Sequence, residues 1–235
     1  ALIVQLPVPA LLADELDRID PAKDIDGLGS RTTHRACATA EGIARITHPF
    51  LSHRDQIAVV GGRGFVGSGA VALLRAAGHD TLPLDIDDDL RQVRDAAVVI
   101  SATGRPGLLT TDHLHTGHTL VIDAGFIPDP GGARGDVDHR ATPLPRAITP
   151  VPGGVGPVEM AVLAERLLRA ALAPDLPSWR YLRRAEHPVT TITTSATTQN
   201  PPARGRPAAD AGRPGPGLPP RRPSTQGPRQ PSRRR

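Results

Sequence analysis

Gly62-Arg63-Gly64-Phe65-Val66-Gly67 follows directly on the apolar run Gln56–Val60 and opens a helix-compatible stretch. Glycines at these spacings allow a tight turn, close approach of backbone to a pyrophosphate, and contact between helix and strand. The helix N-terminus adds N–H groups for the phosphate oxygens. The chemistry implied is dinucleotide binding, with Gly62, Arg63, Gly64 and Gly67 as the candidate contacts. The next apolar run ends at Asp85, eighteen residues after Gly67. A carboxylate there accepts hydrogen bonds from both ribose hydroxyls and repels a 2′-phosphate, which favours NAD over NADP. Two plainer readings stay open: a helix-start loop without cofactor, and Asp85, Asp87, Asp88 and Asp89 as an acidic cluster capping the next helix.

Two further loops fall where strands of such a sheet would end. They are Ala102-Thr103-Gly104-Arg105-Pro106-Gly107 and Asp123-Ala124-Gly125-Phe126. Ligands lie beyond the carboxyl ends of parallel strands, so Thr103, Gly104 and Gly125 are candidate neighbours of a nicotinamide, with ordinary turns as the alternative. His113, His115 and His118 are close in sequence, but no cysteine or i, i+4 carboxylate pair accompanies them, so they read as a solvated surface rather than a metal site. Cys37 reads as a small buried residue, since nothing local pairs it with a base.

The elements that must position these residues are legible from hydrophobic pattern. Leu2–Leu6 reads as a short buried strand stopped by Pro7. Pro9 opens a helix with Leu11, Leu12, Leu16 and Ile19 on one face, closed at Asp20-Pro21. Residues 20–35 are polar, Gly-containing loop, able to hold a ligand. Thr39 caps a helix running to about Leu51. Strands follow at 56–61, 80–85, 97–102 and 119–124, with helical stretches at 68–78 and 88–96, and a loop with a short helix at 104–116. Near-continuous apolar strands alternating with helices require a parallel sheet covered on both faces, so the fold class is α/β, a doubly wound, Rossmann-type layout. Residues 146–157 form a rigid Pro/Gly loop. The helix 157–173 places Met160, Leu163, Ala164, Leu167 and Ala171 on its apolar face, with Glu159, Arg166 and Arg169 away from it. There is no internal repeat.

Composition narrows the function classes. Of 28 Lys and Arg and 24 Asp and Glu, nine Arg but only one acid fall in residues 201–235, which leaves the first 200 residues slightly acidic. A nucleic-acid-binding body is therefore not expected, although the tail itself could meet a polyanion. With one cysteine no intramolecular disulfide forms. There is no apolar run of membrane-spanning length and no basic leader before the first apolar run, so the chain is expected in the cytoplasm. The Pro/Arg-rich segment from 174 lacks periodicity and reads as disordered from about residue 185. Because the sequence opens at Ala1 inside an apolar strand, further sequence is expected upstream, and an uncovered apolar face would make the isolated chain poorly soluble.

Four segments carry a family likeness. Val4-Gln5-Leu6-Pro7-Val8-Pro9, Pro21-Ala22-Lys23-Asp24-Ile25-Asp26-Gly27, Gly135-Asp136-Val137-Asp138 and Ile148-Thr149-Pro150-Val151-Pro152-Gly153-Gly154-Val155-Gly156-Pro157 resemble, in order and spacing, the methylenetetrahydrofolate dehydrogenase/methenyltetrahydrofolate cyclohydrolase family over residues 1–173. The resemblance implies a partial folate domain (1–40), an NAD(P)-binding domain (41–150), and a loop and helix (151–173) returning to the folate domain. It implies hydride transfer from a folate methylene carbon to a nicotinamide cofactor, followed by hydrolysis of the methenyl ring, in a homodimer. By position, Gln5 would orient the catalytic base and water, Asp26 would hydrogen-bond the pterin, and Pro152 and Gly156 would shape the contact between pterin and nicotinamide.

The chain departs from the family at several points. The family's activating lysine, and the tyrosine that stacks on folate, lie upstream of the QLP segment, whereas here the only lysine is Lys23 and the only tyrosine Tyr181. The family's Pro-Cys-Thr-Pro reads Ala36-Cys37-Ala38-Thr39, its Gly-Arg-Ser turn reads Gly61-Gly62-Arg63, and a threonine after the Pro/Gly loop is Glu159. Two alternatives therefore stand beside the enzyme reading: a catalytically silent NAD-binding relative, and a protein that binds a polyanion through its basic tail.

Overall fold

Four strands form one parallel sheet in the order β2-β1-β3-β4, with β1 Gln56–Val60, β2 Asp80–Leu84, β3 Val98–Ser101 and β4 Leu120–Asp123. The computed structural model describes residues 1–4, 8–52 and 55–172. All of them belong to the first of the chain's two units, and the second, residues 191–235, lies outside the described residues. Gln5 and the Pro/Arg-rich segment from 174 lie outside them too.

The strands read as uninterrupted apolar runs because both faces are covered. Side-chain alternation sorts them. Ile57, Val59, Val98, Ile100, Leu120 and Ile122 pack on one face against helices α1 Ala38–Thr47 and α2 Phe65–Ala76. Ala58, Val60, Val99 and Val121 face the opposite layer, formed by Leu90, Val93, Leu109 and Leu114. Full burial of each Val, Leu or Ile contributes about 1.5–3 kcal/mol relative to exposure. Pro83 sits in β2, an edge strand, where a missing N–H costs little. The chain crosses in opposite directions from the neighbouring strands β1 and β3, so their carboxyl ends open a crevice.

Helix α3, Val155–Leu172, packs chiefly on α1, which in turn packs on α2. Small residues permit the approach: a Cβ on Gly42 would lie 3.3 Å from the Glu159 nitrogen, and one on Gly69 would lie 3.0 Å from the Ala36 and Ala40 methyls. The buried face of α3 is Val155, Val162, Leu163 and Arg166, whereas Met160, Ala164, Leu167 and Ala171 are exposed. The expected apolar stripe is thus rotated. Arg166 is inside because the protein supplies every acceptor it needs. Its guanidinium donates to the Glu41 carboxylate at 2.6 and 3.2 Å and to the carbonyls of Ile25, Asp26 and Ala36 at 2.9–3.0 Å. Arg45 bridges Glu41 to Glu165, which also pairs with Arg169.

Other departures from the pattern reading are local. Among the described residues Leu2 makes one bridge, to Asp24, and Leu2 and Ile3 are about half exposed, so these two residues are not buried as expected; Gln5 and Leu6 lie outside the described residues. Residues Ala10–Arg18 and Leu90–Asp95 are 3-10 rather than α-helical, and Leu11 and Leu12 are exposed. Cys37, not Thr39, occupies the N-cap of α1, which ends at Thr47 before a 3-10 turn at His48–Phe50. Residues 104–116 make turns without a helix. A hairpin of β5 Ile127–Asp129 and β6 Gly132–Arg134 was not expected, because three-residue strands with Pro and Gly carry no period.

Removing Arg166 leaves one oxygen of the buried Glu41 carboxylate and three carbonyls without a donor, Arg45 remaining on the other oxygen. Arg166→Ala should destabilise the protein by about 3–5 kcal/mol in urea unfolding. Adding Glu41→Leu should recover only part of that loss, because the carbonyls of Ile25, Asp26 and Ala36 still lack a donor.

Candidate active site

The glycine turn has the geometry its spacing implies, displaced by one residue. Gly61, at the end of β1, takes the left-handed conformation (φ +78°). Gly62 donates its N–H to the Leu84 carbonyl at 2.9 Å, tying the turn to β2, and Gly64 is the N-cap of α2 without a side-chain cap. A Cβ on Gly67 would sit 2.0 Å from the Gly61 carbonyl oxygen. Only glycine lets the first turn of α2 lie this close to the strand. The backbone N–H groups at that end of α2 have no acceptor within the helix, and the glycine N-cap gives them no side-chain cap. This is a cradle that fits a pyrophosphate.

Arg63 turns toward the end of β2. Its guanidinium lies 2.8 Å from Asp88 and 3.8 Å from Asp85. Asp88 also accepts the Asp85 N–H, and these two donors hold its carboxyl below the usual range. Asp89 caps the following 3-10 helix by accepting from the Arg91 N–H. The acidic cluster therefore divides its work: Asp89 caps, Asp88 holds the turn, and Asp85 stands at the strand end.

The loops after β3 and β4 are fixed by two buried acids that pattern reading assigned no role. Asp136 accepts from the Ser101 hydroxyl, the Thr103 N–H and hydroxyl, and the Arg105 N–H, at 2.7–2.8 Å. Asp123 accepts from the N–H groups of Gly125, Asp136 and Val137 at 2.8–2.9 Å. Burial pushes the Asp123 carboxyl up, against the opposing pull of these donors. A Cβ on Gly125 would lie 2.3 Å from Asp136, and one on Gly135 would lie 2.0 Å from Asp123. The legible signal was an acid at a strand end with glycine beside it, in Asp123-Ala124-Gly125 and Gly135-Asp136. Thr103 is thereby a loop anchor, and Gly104 (φ +64°) turns the chain back.

On the opposite wall, Asp24 performs the same service. It accepts from the N–H groups of Gly27, Leu28 and Gly29 at 2.8–3.1 Å and so shapes the loop that presents Asp26. A cleft of about 870 Å³ lies between the walls. Asp26, Cys37, Thr39, Glu159 and Met160 line one side, and Phe65, Val66, Thr103, Gly104, Ala124 and Phe126 the other. A recess of about 260 Å³ shares Thr39, Ala124, Phe126 and Glu159 with it and adds Gly125, Pro152 and Gly156. The structure thus gathers Asp26, Thr103, Gly104, Gly125, Pro152 and Gly156. Gly62, Arg63, Gly64, Gly67 and Asp85 lie on the adjoining turn, whose Phe65 and Val66 enter the cleft. Desolvation raises the carboxyls of Asp26 and Glu159 and the Cys37 thiol.

The histidine cluster is structural. His118 is buried, not solvated, with Nδ1 2.8 Å from the Ala96 carbonyl, and His113 Nδ1 accepts the Thr110 N–H. Among the described residues, no three His, Cys, Asp or Glu side chains are grouped to hold a metal, and no helix is long and apolar enough to cross a membrane.

Comparison with known proteins agrees with this architecture. Residues 37–174 match the model for "Tetrahydrofolate dehydrogenase/cyclohydrolase, NAD(P)-binding domain". The chain belongs to the tetrahydrofolate dehydrogenase/cyclohydrolase family. It is 34% identical to the bifunctional protein FolD of Synechococcus sp. (strain RCC307), over 72% of this chain and 63% of that protein. It is 32% identical to FolD of Staphylococcus aureus (strain Newman), over 72% and 64%. The chain thus spans slightly less than two thirds of these curated relatives. Among solved structures, the bifunctional dehydrogenase/cyclohydrolase of Thermoplasma acidophilum matches with a TM-score of 0.63 at 25% identity, covering 70% of this chain and 65% of that one. The Trypanosoma brucei enzyme, complexed with NADP and an inhibitor, matches with a TM-score of 0.62 at 27% identity, covering 72% and 65%. As in this family, the sheet is a Rossmann-type NAD(P)-binding layer.

Burial, together with the Arg166 guanidinium, pushes the His34 imidazole down to about 4. The folded protein holds it neutral while the unfolded chain protonates near 6.5, so stability is present above about 6.5 and falls as pH drops toward 4. The loss should be about 2 kcal/mol once screening is allowed for. Urea titrations between pH 7 and 4 should show a shallower decline for His34→Gln.

Proposed function

We propose that this chain binds a nicotinamide dinucleotide together with a tetrahydrofolate and acts in methylenetetrahydrofolate oxidation and methenyltetrahydrofolate hydrolysis. The observation that carries this reading is the shared cleft. A pterin-sized space with a carboxylate, Asp26, on one wall faces the ends of β3 and β4 on the other. The nicotinamide, when bound, supplies the hydride acceptor. The protein's own part is orientation: Gly62, Gly64 and Gly67 would hold the pyrophosphate, Asp85 the ribose, and Thr103, Gly104 and Gly125, in the loops after β3 and β4, would neighbour the nicotinamide. Asp26 accepts from the pterin amino and ring N–H groups, Pro152 and Gly156 close the recess, and Gln5 orients the base and water, although Lys23, the only lysine of the sequence, does not stand at the family's base position. In domain terms, residues 41–150 serve the cofactor, and residues 1–40 and 151–173 serve the folate. Self-association as a dimer and a cytoplasmic location complete the reading, and light scattering checks the first.

NAD is our preferred cofactor. Two carboxylates, Asp85 and Asp88, already neutralise the Arg63 guanidinium at the strand end, so a 2′-phosphate would meet net negative charge among the described residues there. Saturating NAD⁺ should raise Tm by about 5 °C and NADP⁺ by clearly less. The Asp85→Ala/Asp88→Ala variant should narrow that gap, and equal shifts in the wild type would contradict the preference. The activity itself is read by absorbance as the methylene form is converted to the methenyl form. Cofactor stabilisation without turnover would contradict the enzymatic reading.

A further inference from the structure

Glu159 stands where the folate wall meets the Pro/Gly recess, and its side of α3 lines both spaces. The groups facing it are known from each element packed there. Asp26 approaches from the 24–29 loop, and the Thr39 hydroxyl hydrogen-bonds its carboxyl from α1. Cys37, at the α1 N-cap, is held neutral by burial. Glu41 and Arg166 lie beneath this wall, paired with each other. No Lys, Arg or His is among the described residues lining either space. Arg166 draws on Asp26 from beneath, but its guanidinium is taken up by Glu41 and three backbone carbonyls. Among the described residues the two carboxylates thus share one wall with no cation at the opening and none acting on Glu159, an arrangement that costs free energy until positive charge arrives.

Hydride transfer supplies that charge. When a neutral methylene carbon between two nitrogens loses hydride, the C–H bond breaks and both its electrons leave with hydrogen for the nicotinamide acceptor. The carbon is left with a positive charge shared by the flanking nitrogens, and no proton moves. We propose that Glu159, acting with Asp26, recognises this positive charge, so that the cleft prefers the cationic methenyl ring over the neutral ring and stabilises the charge as it develops. The proposal rests on the reading of the cleft as a folate site and names the electrostatic basis of its selectivity. Threonine at this position, as in the family's pattern, would supply no such charge.

The test compares binding of 5,10-methenyltetrahydrofolate, whose ring is cationic, with tetrahydrofolate, whose ring is neutral, to the full chain between pH 5 and 7. Fluorescence titration is read before hydrolysis of the cation. Wild type should favour the cation, and the preference should grow with pH as the raised Asp26 and Glu159 carboxyls ionise. Glu159→Gln should lose about tenfold in affinity for the cation and less than about twofold for the neutral ligand, and Glu159→Asp should keep part of the preference. Melting temperatures confirm that each variant is folded. Equal weakening of both ligands, or no change in either, overturns the role of Glu159 while leaving the folate reading intact. Binding of neither ligand by wild type overturns the folate reading and this inference with it.

Discussion

Asp136 is fully buried at the carboxyl edge of the sheet, and its carboxylate accepts four donors from the end of β3 and the loop that follows it. Charge-assisted bonds of this kind are roughly twice as strong as neutral ones and lose most of that value if any partner is misplaced. Asp123 answers from β4 and takes the N–H of Asp136 itself, so the two acids lock β3, β4 and the 127–134 hairpin into one frame. Gly125 and Gly135 are consequences of the lock, because a side chain at either would displace a carboxylate. The loops that face the cleft are therefore rigid because acids organise them, not because they are short.

The same device recurs on the far wall, where Asp24 gathers three backbone N–H groups. Beneath it the packing changes character. Arg166 and Glu41 form a buried ion pair whose desolvation is offset because three backbone carbonyls complete the guanidinium's coordination and Arg45 takes the second Glu41 oxygen. Since two of those carbonyls belong to Ile25 and Asp26, the pair that joins α3 to α1 also sets the height of the Asp26 loop. Fold stability and site geometry thus share one guanidinium.

Most of the sheet was legible because parallel strands covered on both faces leave an unmistakable apolar run, and the turn at Gly62–Gly67 because its glycines are sterically required. What escaped the pattern follows from tertiary context. Arg166 counts as polar in any periodicity, yet the fold turns it inward by presenting acceptors from three separate segments. Asp123 at a strand end and Asp136 beside Gly135 carry no periodic signal, and their partners appear only when the loops converge. The 3-10 segments at Ala10–Arg18 and Leu90–Asp95 share the apolar spacing of α-helices, so spacing alone does not separate them. In the site, Asp26, Pro152 and Gly156 were reached through family resemblance, whereas Asp24 emerged only from its hydrogen bonds.

The central claim is that a dinucleotide runs from the Gly61–Gly67 turn to the Asp136-organised loops, along the carboxyl edge of the sheet. Amide-resolved NMR of the full chain titrated with NAD⁺ and NADP⁺ tests it directly. The account predicts shifts at Gly64, Phe65, Val66, Gly67, Thr103, Gly104 and Gly125 with either cofactor that binds, and little change at Leu109, Leu114 or His118 on the opposite layer. Shifts confined to that layer, or none at the glycine turn, would contradict it.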